Sequence, residues 1–255
     1  MIDYRVDGEI ATITIDDEAR RNPLSNAAMA ELRDAVLRGV DDEAVRVMVI
    51  TGAGDRAFSA GGDLRSGFVD DPLGGHHARG SLADLFRAMQ LAPKPIIGRI
   101  NGVALGGGFG VAAACDIAIA ADHARFGTPE IDLGLWPMMI SAVLRTVVHP
   151  KRLLEMMMTG EVLSAEDARD LGLVNEVVPA AELDVAVGEV AERLLTKSPA
   201  ALALGKRSFY SIADMDSDTA LDHLHVGLTA LARTEDAAEG VEAFTDKRDP
   251  VWKGR

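Results

Sequence analysis

Apolar and polar positions alternate strictly in Ala11-Thr12-Ile13-Thr14-Ile15, the period of a strand with one buried face. Met29, Leu32, Val36 and Val40 then recur at helical spacing behind Ser25 and Asn26, either of which can cap a helix expected to pack on a sheet. Val45 to Ile50 is the next strand, broken by Thr51-Gly52-Ala53-Gly54-Asp55. Ser81 to Ala92 reads as a helix ended by Pro93 and Pro95, and Pro95 to Ile100 as an extended apolar run. Two short strands follow at Ile117–Ala120 and Arg125–Phe126, then a loop over 127–134 and a helix opened by Trp136-Pro137-Met138-Met139. From Lys151 onward the pattern predicts helices throughout. One starts at Ser164 and stops at Gly172, a longer one runs from Pro179 to Lys197, and two or three more follow Pro199. The composition shifts near residue 195, which divides the chain into a strand-and-turn core, 1–195, and a helical region, 196–255. A helical end with apolar faces predicts a homo-oligomer.

The rest is organised around Asn101-Gly-Val-Ala-Leu-Gly-Gly-Gly-Phe-Gly110, where the extended run gives way to the Ala-rich helix of Val111 to Cys115. The first N–H groups of a helix have no partner within it, and the helix dipole adds about half a positive charge there. Three successive glycines remove the Cβ atoms that would keep a ligand away, at a cost of about 1 kcal/mol each relative to alanine. The pattern predicts close approach of negative charge; tight helix packing is the alternative. Gly108-x-Gly110-x-x-Ala113 with Glu130 further on also fits a dinucleotide fingerprint, but the strand-like run ends several residues before the glycines. A second glycine turn, Phe58-Ser-Ala-Gly-Gly-Asp-Leu64, has no place in a dinucleotide fold. The connection over 66–80, rich in glycine, is a candidate gate for a pocket.

With 255 residues, 48% hydrophobic and 26% charged, the chain is long enough for a sizeable core. The N-terminal residues do not read as a signal peptide and no apolar run is of membrane-spanning length, so a cytoplasmic location is expected. Cys115 is the only cysteine, which leaves no internal disulfide and predicts a buried structural thiol. The formal net charge of −14 opposes binding to nucleic acid or acidic membranes. Neither His76-His77 nor His223-x-His225 has the spacing of a helical zinc pair, and no metal is expected.

Five segments together resemble the crotonase superfamily, the enoyl-CoA hydratase/isomerase family: Phe58 to Leu64, Asn101 to Gly108, Cys115-Asp116, Phe126-Gly-Thr-Pro-Glu130, and Leu171-Gly-Leu-Val-Asn-Glu-Val-Val-Pro179. They stand in the family's order and spacing over nearly the whole chain. The resemblance implies an α/β fold, a crotonase-like spiral of ββα turns with a C-terminal helical trimerisation region, assembled as a homotrimer or a dimer of trimers. It implies an acyl-CoA thioester as substrate and no separate cofactor, coenzyme A being part of that substrate. By the same resemblance the backbone amides of Gly62 and Gly107 form an oxyanion hole, and Glu130 is the catalytic base. Backbone groups of Ala60, Asp63 and Leu64 match positions that hold the adenine, and Phe244 and Lys247 match residues that reach a neighbour's CoA.

The sequence departs from the family in two places. Hydratases use a second glutamate, and Gly110 stands at its position. Trp136-Pro137-Met138-Met139 replaces a Gly-rich stretch, which implies an altered acyl pocket with Trp136 in it. Isomerisation needs one base that lifts a proton from one carbon and returns it two carbons along, so a lone glutamate favours double-bond isomerisation. Hydration with Asp132 or a residue of the 66–80 connection as substitute is the alternative, and a non-catalytic acyl-CoA-binding protein is another. Arg20 and Arg21 are candidates to meet the CoA phosphates.

Overall fold

The computed structural model describes residues 1–63, 76 and 79–255. Among these residues ten strands form two sheets. The larger takes β1 (Ile2–Asp7), β2 (Ile10–Ile15), β3 (Val47–Gly52), β5 (Ile96–Ile100), β7 (Ile117–Ala121) and β10 (Glu176–Val178), in that spatial order. The smaller takes β4 (Ala57–Ser59), β6 (Val103–Leu105), β8 (Arg125–Gly127) and β9 (Val162–Ser164). Three successive strand pairs, β3–β4, β5–β6 and β7–β8, each give their first strand to the larger sheet and their second to the smaller. Within each sheet these strands pair in parallel. The result is a spiral of ββα turns, each of which advances both sheets by one strand.

Burial explains the two kinds of strand pattern. One face of the larger sheet meets the main core and the other meets helix α7 (Leu183–Leu195), whose Leu183, Val187 and Val190 cover Val47, Val49, Ile97 and Ile119. Covered on both faces, β3 is buried at all six positions, whereas β2 alternates. Helix α1 (Asn26–Asp41) packs its Met29, Leu32 and Val36 into the main core. Ser25 is its cap, accepting from the Ala28 N–H at 3.1 Å.

Helix α2 (Ser81–Leu91) packs on α1, and α3 (Gly107–Ala114) lies between α2 and α4 (Met138–Leu144). Helices α5 (Pro150–Thr159) and α6 (Ala165–Asp170) precede α7; Ser164 and Asp167 cap α6 reciprocally, and the chain turns at Gly172 with φ +79°. Three helices follow: α8 (Pro199–Ser211), α9 (Ser217–Leu231) and α10 (Glu235–Asp246). Asp116, next to α3, accepts from the Lys206 ammonium at 2.6 Å and the Tyr210 hydroxyl at 3.0 Å, both on α8, and from the Ile96 N–H at 2.8 Å. That carboxylate ties the C-terminal helices to the spiral. Cys115 beside it is buried, and burial raises its thiol well above the ordinary value.

Four features differ from the sequence expectations. β1 is a full strand paired antiparallel with β2, and β6 is a further strand between the extended run and the glycines. The region after Lys151 is not helical throughout, because β9 and β10 add an edge strand to each sheet. At three residues apiece these strands are too short to show a period. Residues Pro129–Leu133 form a 3-10 helix instead of a loop. The proposed gate over 66–80 lies, apart from His76, Arg79 and Gly80, outside the described residues.

Candidate active site

Each of the two glycine turns leaves one backbone N–H without an acceptor among the described residues. In the first, β4 ends at Ser59 and Gly61 adopts φ +97°, a conformation side chains rarely take; a Cβ there would also stand 2.8 Å from the Leu105 carbonyl oxygen. Gly62 then forms a single parallel bridge with Leu24, in which the Gly61 carbonyl accepts from the Leu24 N–H and the Asp63 N–H donates to the Leu24 carbonyl. Such a bridge engages the residues on either side and turns the N–H of Gly62 away. None of the described residues accepts from it.

The second turn repeats this logic. Gly106 takes φ +48° and donates to the Gly127 carbonyl at 2.9 Å, and Gly107 opens α3 with an N–H that has no helical acceptor. A Cβ on Gly107 would lie 4.0 Å from the Gly62 nitrogen. The two turns therefore lie side by side, with methyl groups of Leu24 and Leu82 at 3.9 and 3.8 Å from that Cβ position. The three glycines divide the work: Gly106 makes the turn, Gly107 presents the amide, and Gly108 permits packing, since its Cβ would lie 2.6 Å from Ser59 Cβ. Of the two alternatives by sequence, tight packing is present at Gly108.

Glu130 enters from the 3-10 helix. Its Oε1 lies where only a glycine at 106 leaves room, 2.8 Å from the position of a Cβ there, and its Oε2 is buried with no hydrogen-bond partner among the described residues. Burial raises its pKa above the usual 4.5, against a smaller lowering by a backbone hydrogen bond. A carboxyl with one buried oxygen left unpaired, set beside the Gly106 turn at the head of α3, is suited to taking and returning a proton. Asp132, the substitute considered for a second acid, is exposed and lies by Gly160 at the end of α5.

Gly110 lies one turn after Gly107 on α3. A Cβ there would overlap Ile140 Cγ2 and lie 2.7 Å from Phe86 Cζ. The position is filled from outside by α4 and α2.

Two buried asparagines, whose role in the turn the sequence did not reveal, hold the first turn in place. Asn22, fully buried and at φ +55°, donates to the carbonyls of Ala53 and Ala57 and accepts from the Asp17 N–H. Asn101 donates to the carbonyls of Gly52, Gly54 and Ala57 and accepts from the Gly52 N–H. Both side chains meet at Ala57, the first residue of the strand that delivers Gly61 and Gly62. Their places, at the loop before Pro23 and at the head of the glycine segment, are the available signal.

The other expected contacts are distributed. Ala60 and Asp63 spend their N–H groups on Arg21 and Leu24, which leaves ligand contacts at Ala60 to its carbonyl. Leu64 lies outside the described residues. Arg20 pairs with Asp17 and with Asp63, the latter at 2.9 Å, and Arg21 is exposed. Trp136 packs half-buried against the main core just before α4. Phe244, on α10, is 86% exposed and with Val241 and Trp252 borders an apolar groove of about 420 Å³, and Lys247 ends that helix at φ +56°. Among the described residues there is no cluster of three or more metal-ligating side chains and no helix long and apolar enough to cross a membrane.

Comparison with known proteins agrees with this architecture. The sequence model of the enoyl-CoA hydratase/isomerase family matches residues 5–255. Carnitinyl-CoA dehydratase of Escherichia coli (strain K12) is 37% identical over 254 residues, covering 97% of this chain and 96% of that one. An enoyl-CoA hydratase structure from Mycobacterium smegmatis superposes with a TM-score of 0.94 at 33% identity, covering 98% of both chains. One from Bacillus anthracis gives 0.94 at 32% identity, covering 100% of this chain and 99% of that one. The chain is thus a crotonase-fold enzyme of the hydratase/isomerase type and belongs to the enoyl-CoA hydratase/isomerase family.

Proposed function

We propose that the protein moves protons on acyl-CoA thioesters through an enolate held by the Gly62 and Gly107 amides, with Glu130 as the single proton carrier, and that its reaction is double-bond isomerisation. The observation that carries this reading is the nearness of two N–H groups with no acceptor among the described residues, at Gly62 and Gly107, to a carboxyl whose buried Oε2 has no partner there. In a 3-enoyl-CoA, Glu130 takes a proton from the α carbon. The electron pair delocalises onto the thioester oxygen, where two fixed donors meet it without the reorganisation water would require. Loss of one such donor typically costs about a hundred- to thousandfold in rate. Glu130 then returns the proton to the γ carbon, leaving the double bond conjugated with the thioester. Its raised pKa favours both halves of that exchange, since a weakly acidic carboxyl is the better base and is readily protonated.

Dehydration of a 3-hydroxyacyl-CoA is the second reading, favoured by the 37% identity to carnitinyl-CoA dehydratase. The same carboxylate would take the α proton and hand it to the departing hydroxyl on the same face, which releases water. Adenine would rest against the backbone of Ala60 and Asp63. The exposed apolar side chains of the 196–255 region would meet other copies in a trimer or a dimer of trimers, where Phe244 and Lys247 would reach a neighbour's CoA.

The test is α-proton exchange in deuterated water with a saturated acyl-CoA, read by mass. The wild type is expected to exchange and Glu130→Gln to lose at least about a hundredfold, with little change in thioester affinity. Ultraviolet absorbance of the conjugated thioester, formed from a 3-enoyl-CoA or from a 3-hydroxyacyl-CoA, then separates the two readings. An exchange rate unaffected by Glu130→Gln would remove both.

A further inference from the structure

The space over Gly110 assigns a role to two apolar residues that face α3 from different elements. Gly107 and Gly110 are one turn apart and share a face of the helix. Leu82 and Phe86, four residues apart, are likewise one turn apart on α2, so that Leu82 stands over Gly107 and Phe86 over Gly110. Ile140 closes the third side from α4, the helix that follows Glu130 and Trp136 in the chain. Phe86 and Ile140 are only 5% and 2% exposed, and a Cβ on Gly110 would overlap both. A glycine whose Cβ position was open would leave room for an ordered water or for a larger residue. Here that room is taken.

We infer that Phe86 and Ile140 are the residues that determine which reaction the site performs: by filling the volume beside Gly110 they keep it a one-carboxylate site. This rests on the reading of Gly62, Gly107 and Glu130 given above. Hydration joins a water oxygen to the β carbon and a proton to the α carbon, and it is fastest when one group takes the water's proton while another delivers the α proton. A wall of one aromatic ring and one branched aliphatic chain holds no group for the former task and offers a water no hydrogen bond. The consequence is that hydration is not gained by a change at position 110 alone. It requires that the wall be opened at the same time.

Three proteins test this: Gly110→Glu, the double variant Gly110→Glu/Ile140→Ala, and Ile140→Ala alone. Each is given a 2-enoyl-CoA for hydration and a deuterated-water exchange assay for enolate formation. The single Gly110→Glu protein is expected to melt lower than the wild type and to gain no hydration. The double variant is expected to raise the ratio of hydration to exchange by about a hundredfold, the range a positioned acid or base supplies. Should the double variant not fold, Ile140→Ala supplies the readout by chemical rescue. Added formate is expected to accelerate its hydration saturably and to leave the wild type unaffected. The inference is overturned if Gly110→Glu alone gains hydration, or if the folded double variant keeps the wild-type ratio. It is equally overturned if formate acts alike on wild type and Ile140→Ala. Absence of exchange in the wild type itself is a separate result, which would remove the underlying reading and this inference with it.

Discussion

At the scale of single residues, Glu130 is in tension between the fold and its proposed role. Burial disfavours its ionised form, so its pKa in the folded chain lies above the unfolded value near 4.5. The sign of the stability effect follows. Below the unfolded value the carboxyl is protonated in both states and contributes no penalty. As pH rises through the folded value, the native state must bury a charge and loses stability. Glu130→Gln is therefore expected to melt higher than the wild type at pH 8, with the gap closing toward pH 4. Thermal scans over that range check it, and a gap of constant size would mean that the charge of Glu130 is not the cause. Exchange catalysed by the wild type should run the other way, rising with pH as Glu130 ionises.

At the scale of elements, Asp116 joins two parts of the chain that sequence order keeps far apart. Its partners on α8 are mostly shielded, and burial pushes the Tyr210 hydroxyl far up, with the Asp116 charge adding to the effect. Lys206→Met would leave that carboxylate without its cation, a loss expected to cost about 3 kcal/mol, read as a lower urea midpoint. Hydrogen exchange should show α8 loosening before the sheets do. The sequence made Asp116 visible only as a neighbour of Cys115, because its partners lie 90 and 94 residues further on. The same limit runs through the fold. Ser25, the α1 face and the opening of α3 are local, and they are legible as caps, periods and glycines. Gly62, Gly107 and Glu130 are legible because backbone donors and a carboxylate at those places match a family pattern. The asparagines that converge on Ala57, the Arg20–Asp63 pair and the filling of Gly110 by Phe86 and Ile140 depend on which strand lies beside which. No local pattern records that.

At the scale of the whole molecule, the interior and the C-terminal helices are built to different rules. α9 buries none of its residues, and Leu221, Val226 and Leu228 are 64, 71 and 64% exposed. In the proposed trimer these side chains meet another copy. Leu228→Glu is expected to lower the mass measured by light scattering from a multiple of 27.0 kDa toward a single chain, and a mass equal to one chain in the wild type would dismiss the assembly. The two amides at Gly62 and Gly107 carry a different implication, one for how such a protein changes over generations. A codon substitution alters a side chain, and a main-chain N–H has none to alter. On the proposed reading, replacements at Glu130, Phe86 or Ile140 redirect the outcome of the reaction while the means of holding negative charge is inherited intact, guarded by the glycines that shape its two turns and by the Asn22 and Asn101 side chains that hold the first.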